Sequence, residues 1–121
     1  MSSTIRLALV ASLLAATPAA ALLHNKLLKS APLAGVATAA PTTISLWFAE
    51  KPELALSGIT LRSATDSTVV PVGSVAVLAG EKHAITTPIT GSLARGAYVV
   101  QYKTVGSDGH PLRGSYVFTV K

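Results

Sequence analysis

Cysteine is absent from this 121-residue chain, and methionine occurs once, as Met1. Disulfides, thiolate metal sites, iron–sulfur clusters and cysteine nucleophiles are therefore all excluded. Charge is sparse as well: Asp, Glu, Lys and Arg make up 12% of the residues, whereas AVILMFWYC residues make up 50%. That balance excludes disorder driven by high charge and low hydrophobicity. One Trp, two Phe and three Tyr are too few for a base-stacking platform. The ten Lys and Arg residues form no run of three, whereas counterion-release binding to nucleic acid wants a clustered basic face. A chain of this length holds one small domain.

The apolar residues are concentrated first at the N-terminus. MSSTIRLALVASLLAATPAAA carries one charge at Arg6, an apolar run from Leu7 to Ala16, a break at Pro18 and the small residues Ala19, Ala20 and Ala21. This is the three-part plan of a secretory signal peptide, and the run is too short for a stable membrane span. The alternative is an uncleaved amphipathic or anchoring helix. Small residues place the cut after Ala21, so that residues 1–21 leave and Leu22 and Leu23 precede His24; a later cut, after Leu23, would expose His24 as the first residue. Beyond the signal, nine Lys and Arg face Glu50, Glu53, Asp66, Glu81 and Asp108, and no stretch is apolar enough for a membrane span.

From residue 41 onward, short apolar segments alternate with turn residues. Ile44, Leu46 and Phe48 alternate with Ser45, Trp47 and Ala49, the period-two pattern of a strand with one buried face. Ile59 and Leu61 repeat it after Ser57-Gly58. Val69–Val72 contains Pro71 and belongs at an edge or bulge. Further short segments fall at Val75–Val77 and Lys82–Thr86, and Leu54–Ser57 has room for one helical turn. The strongest strands run through Tyr98, Val100 and Tyr102 and through Tyr116, Phe118 and Val120. Between them, Val105 to Gly114 contains three Gly and one Pro and reads as a loop. The Ala-rich piece from Pro32 to Pro41 reads as an irregular crossing. About seven strands in about 100 residues predict an all-β, antiparallel Greek-key sandwich of immunoglobulin-like type, with a small closed barrel as the alternative.

Candidate chemistry is confined to few residues. Asp108 and His110 flank Gly109, and a D-x-H pair in a loop can aim a carboxylate and an imidazole at one point; it can equally be an Asx turn beside an exposed histidine. No G-x-S-x-G is present, Glu50 and Glu53 are separated by Pro52, and no Gly-rich loop precedes a helix. His83 lacks convergent partners. Metal binding by histidine with carboxylate support is the chemistry left open.

Three stretches resemble the CopC family of periplasmic copper-binding, copper-resistance proteins. His24-Asn25-Lys26-Leu27-Leu28-Lys29-Ser30-Ala31-Pro32 is similar to its start, a histidine followed by L-x-x-S-x-P. Ile44 to Glu50 is similar to its I-x-L-x-F-S-E strand, with Ala49 where Ser is usual. Leu93 to Tyr98 and then Val105 to Phe118 are similar to its L-x-x-G-x-Y strand and S-x-D-x-H-P-x-x-G-x-x-x-F ending. The resemblance implies a copper-binding sandwich over residues 24–121. It also implies a site for one Cu(II) ion made by His24, Asp108 and His110, with Glu50 as a weaker or outer contributor. Imidazole and carboxylate oxygen suit Cu(II). Cleavage at Leu22 would remove the His24 amine from such a site.

Some members carry a Met-rich stretch; with only Met1, no thioether Cu(I) site is expected. The implied role is non-enzymatic: a monomer in the periplasm that buffers copper or delivers it to an inner-membrane importer. Two alternatives stand beside it. One is a metal-free accessory or adhesion sandwich. The other is a histidine-brace copper oxidase of polymers, which would need exposed aromatics, whereas Trp47 is expected to pack inside the sandwich.

Overall fold

The computed structural model describes residues 25–121. The signal segment at 1–21 and His24 lie outside the described residues. In chain order the strands are β1 (Leu27–Ala31), β2 (Ala37–Thr38), β3 (Thr43–Phe48), β4 (Gly58–Ser63), β5 (Val69–Val70), β6 (Ala76–Val77), β7 (Ala84–Pro88), β8 (Gly96–Val105) and β9 (Pro111–Val120). One 3-10 turn, Leu54–Leu56, precedes β4. It occupies the place where the sequence leaves room for a helical turn.

Two sheets face each other, in the orders β1-β3-β7-β6 and β2-β9-β8-β4-β5. The chain changes sheet between β3 and β4 and returns to pair β7 with β3, so this is the expected Greek-key sandwich. Alternation decides which side chains meet between the sheets. Ile44, Leu46 and Phe48 of β3 and Ile85 of β7 point inward from the first sheet. Ile59, Leu61, Tyr98, Val100, Phe118 and Val120 answer them from the second, and all ten are buried. Tyr98 and Phe118 stack with centroids 5.8 Å apart, and Phe48 meets Tyr102 edge-on, also at 5.8 Å. Such pairs add roughly 0.5–1.5 kcal/mol to the burial itself. Burial also pushes the Tyr116 phenol up to about 12.

Three expectations are corrected. The Ala-rich crossing contains β2, which pairs in parallel with β9, Ala37 opposite Thr119. A Gly35 N–H to Val117 carbonyl bond of 2.7 Å ties this segment to the same edge. Second, the loop spans 106–110, because pairing between β8 and β9 already begins at Val105 opposite Pro111. Glycine and proline in this stretch mark a strand start and a close approach as well as a turn. Pro111 is tolerated as the first residue of its strand. Gly114 lies within its strand, opposite Tyr102, whose phenol fills the space a Cβ would need.

Third, Trp47 does not pack inside. Its neighbours Leu46 and Phe48 point inward, so Trp47 points out. The Lys29 ammonium lies 4.3 Å from its ring centroid. Its Nε1–H donates to Glu81 Oε2 at 2.8 Å.

Candidate metal centre

The parity that builds the core also builds the candidate site. Continuing β3 two residues past Phe48 brings the next inward position, Glu50, to the end of the sandwich. Continuing β8 past Tyr102 and Thr104 brings Gly106 to the same end. Gly106 is buried, and the space a Cβ would fill is taken by the Glu50 carboxylate, with Asp108 Oδ1 at 3.2 Å and Asn25 Nδ2 at 3.5 Å from that point. A side chain at 106 would displace the carboxylate. Three polar groups from three parts of the chain thus border one glycine.

Backbone bonds hold these parts in register. The Ala49 N–H donates to Lys26 at 2.9 Å, the Glu53 N–H to Val105 at 2.8 Å, and the Glu50 N–H to Asn25 Oδ1 at 3.4 Å. The hairpin closes through Gly106 N–H to His110 at 3.3 Å and Gly109 N–H to Gly106 at 3.0 Å. Gly109 has φ +80°. That left-handed conformation costs other L-residues roughly 1–2 kcal/mol, which accounts for glycine between the two candidate ligands.

Asp108 and His110 are joined twice. Asp108 Oδ1 accepts the His110 N–H at 3.0 Å, closing an Asx turn, and Oδ2 lies 2.9 Å from His110 Nδ1. The loop is therefore an Asx turn beside an exposed histidine, and that turn is what aims the ring. The His110 side chain is 80% exposed and that of Asp108 25%. The Asp108 hydrogen bond and charge, with a further pull from Glu50, raise the His110 pKa above its ordinary 6.5. With Nδ1 held by Asp108, Nε2 is the ring nitrogen presented outward.

Among the described residues, Glu50 Oε2 and Asn25 Nδ2 at this end are buried without a hydrogen-bond partner. Buried polar atoms are ordinarily paired, so an orphaned carboxylate oxygen beside a carboxylate–histidine pair is a donor set with unused capacity. Oxygen and imidazole donors fit Cu(II), and sulfur donors are lacking. Among the described residues no group of three His, Asp or Glu is close enough to hold a metal ion on its own. Asp108 and His110 meet, Glu50 stands behind them, and His24 is outside the described residues. His83 is apart, on the turn before β7, where its carbonyl accepts the Phe48 N–H at 2.9 Å.

Asn25 and Gly106 were not singled out from the sequence. The inward parity of Tyr102 and Thr104 was the available signal for Gly106. For Asn25 there was none, because its partners are remote in the chain.

Comparisons with known proteins bear on the fold and the family. The CopC domain family matches residues 27–121. Copper resistance protein C of Escherichia coli is 36% identical over 107 residues, covering 84% of each chain. That of Xanthomonas campestris pv. juglandis is 34% identical over 108 residues, covering 85% of this chain and 84% of the relative. CopC from Methylosinus trichosporium OB3b superposes with a TM-score of 0.72 at 32% identity, over 81% of this chain and 94% of that one. PcoC, a methionine-rich copper resistance protein from Escherichia coli, superposes with the same TM-score at 35% identity, over 81% and 99%. Matched along nearly the whole sandwich by sequence and by structure, the chain belongs to the CopC family of copper-resistance proteins.

Proposed function

We propose that this chain carries one Cu(II) ion as cargo in the periplasm, held at the hairpin end of the sandwich, and buffers it or passes it to a copper importer in the inner membrane. The observation that carries this reading is the Asp108–His110 pair, joined at 2.9 Å and backed by the orphaned Glu50 carboxylate. In the proposed site His110 donates through Nε2 and Asp108 supplies carboxylate oxygen. His24 supplies imidazole and, if the mature chain begins there, its amine. Glu50 contributes negative charge from behind Gly106. Each donor is hard or intermediate, which favours Cu(II) over Cu(I).

Family membership supports copper as the ion, and the relatives' name, copper resistance protein C, supports resistance as its purpose. Among the described residues no helix is long and apolar enough to cross a membrane.

The test starts from exported protein. Intact mass gives the mature N-terminal residue, and competition titration gives Cu(II) stoichiometry and affinity at neutral pH. One tightly held Cu(II) per chain is expected, and a start at His24 should bind more tightly than a start at Leu22. Failure to retain stoichiometric Cu(II) would overturn the reading. Oxidation of a polysaccharide by the loaded protein would replace the carrier with an enzyme.

A further inference from the structure

The two outer faces of the sandwich treat their charges differently. On the β1-β3-β7-β6 sheet, Lys29 lies over Trp47 and Trp47 is bonded to Glu81, so cation, ring and acid occupy one another. On the other sheet, Lys103 of β8 and Arg113 of β9 sit directly opposite each other and are both exposed. Like charges facing across two strands destabilise the pair. Among the described residues neither side chain has a hydrogen bond or ion pair to relieve this. The pair lies two positions from where the hairpin pairing closes at Val105 opposite Pro111, and an opposite charge placed there would relieve it.

The surroundings define what would fit. Lys103 and Arg113 form the ridge between two hollows. One, of about 310 Å³, lies over Gly58, Thr60, Gln101 and Gly114. The other, of about 290 Å³, runs past Leu56 and Ser57 to Val105 and Pro111, the two residues from which the 106–110 loop springs. No Asp or Glu lines either hollow. On the 3-10 turn beside the second, Leu54 is 40% and Leu56 55% exposed. A basic ridge, neutral hydrogen-bonding groups and an apolar rim, all adjoining the candidate metal hairpin, make one continuous surface.

We propose that this surface docks an acidic segment of the protein that exchanges copper with this chain. Its carboxylates would meet Lys103 and Arg113 and its apolar side chains Leu54 and Leu56, leaving the hairpin free to face the partner's own ligands. The inference rests on the carrier reading for its purpose and on charge complementarity for its occupant. Charges of this kind steer encounter and set salt dependence, and an exposed apolar patch supplies contact area.

The test uses exported, isotope-labelled protein and, as probe, a twelve-residue peptide of Glu-Glu-Leu repeats with a Lys-Lys-Leu peptide as control. Amide shifts are expected at Leu56, Gly58, Gln101, Lys103 and Arg113 with the acidic peptide only. Binding should weaken at least tenfold from about 0.01 M to about 0.15 M salt, across which the screening length falls from about 30 Å to about 8 Å. Lys103→Glu with Arg113→Glu should abolish the shifts while leaving Cu(II) stoichiometry and thermal midpoint unchanged. Lys29→Glu, on the other sheet, should leave docking intact.

Shifts spread over all basic residues, or no shift at low salt, would overturn the proposal. So would binding of phosphatidylglycerol vesicles through the same residues without peptide binding, which would make the face a membrane surface. Loss of Cu(II) binding in the unmodified protein would sink the carrier reading and leave the docking result standing, so the two failures are distinguishable.

Discussion

The body of the β8–β9 hairpin and its tip are built from one continuous pair of strands, yet they hold their residues by different physics. In the body, Val100 and Phe118 are fully buried, and position follows from packing. At the tip, the His110 side chain is 80% exposed. Its position follows from a turn, one glycine conformation and a carboxylate. The body can therefore supply stability without chemistry, and the tip chemistry almost without stability.

The largest expected effect tests the first half of that contrast. Phe118→Ala should cost about 3–5 kcal/mol of unfolding free energy, the usual range for deleting a buried aromatic ring. Urea denaturation measures it. The Cu(II) affinity of the fraction that stays folded should be unchanged, and a parallel loss of affinity would break the contrast.

Next comes His110→Ala, the converse case. Cu(II) affinity should fall by about a hundredfold or more, at or beyond the upper end of what loss of a supporting partner costs a metal site. Unfolding free energy should move by no more than about 0.5 kcal/mol, as for an exposed position. Competition titration and urea melts of the same variant read both.

Gly109→Ala should fall between the two in kind and below them in size. The methyl group strains a backbone at φ +80°, by roughly 1–2 kcal/mol. The loop either loosens or carries that strain, so a modest loss is expected in both stability and copper affinity.

The smallest effect is electrostatic. Asp108 raises the pKa of His110, so in metal-free protein the imidazole should titrate above 6.5, and Asp108→Asn should bring it back toward that value by NMR. The sign for stability follows from the raised folded value: the contact stabilises the fold fully below the unfolded pKa and is lost as pH rises through the folded one. For copper the proton is a competitor, since only neutral imidazole binds metal. Acidification should therefore release Cu(II), and retention near about pH 4, well below the ordinary histidine value, would argue against histidine ligation.

Much of this was legible from alternation and motif. Ile44, Leu46 and Phe48 read as one buried face and are one. Trp47 shows how aromatic bulk misleads, since the same alternation that buries Phe48 turns its neighbour outward. The length of the 106–110 loop was not legible, because glycine marks both turns and close approaches, and only the Tyr102 ring over Gly114 tells which. At the candidate site, the local D-x-H pair could be read directly. Glu50 entered only through the family resemblance, and its meeting with Gly106 and Asn25 could not be read, since those contacts join residues about 25 to 80 apart.

By itself the sequence determined the chemistry available and the strand faces. Without cysteine, and with no methionine after Met1, only oxygen and nitrogen donors can bind a metal beyond that residue. Period-two patterning needs only neighbours to be read. Tertiary structure alone decided which of those residues meet. Scattered in the chain, Lys103 and Arg113 become a facing pair because the hairpin register aligns them. Glu50 reaches the Asp108 loop because β3 and β8, in different sheets, end at the same edge of the sandwich. Register and sheet packing are properties of the whole fold, set by the long-range burial that a local pattern does not contain.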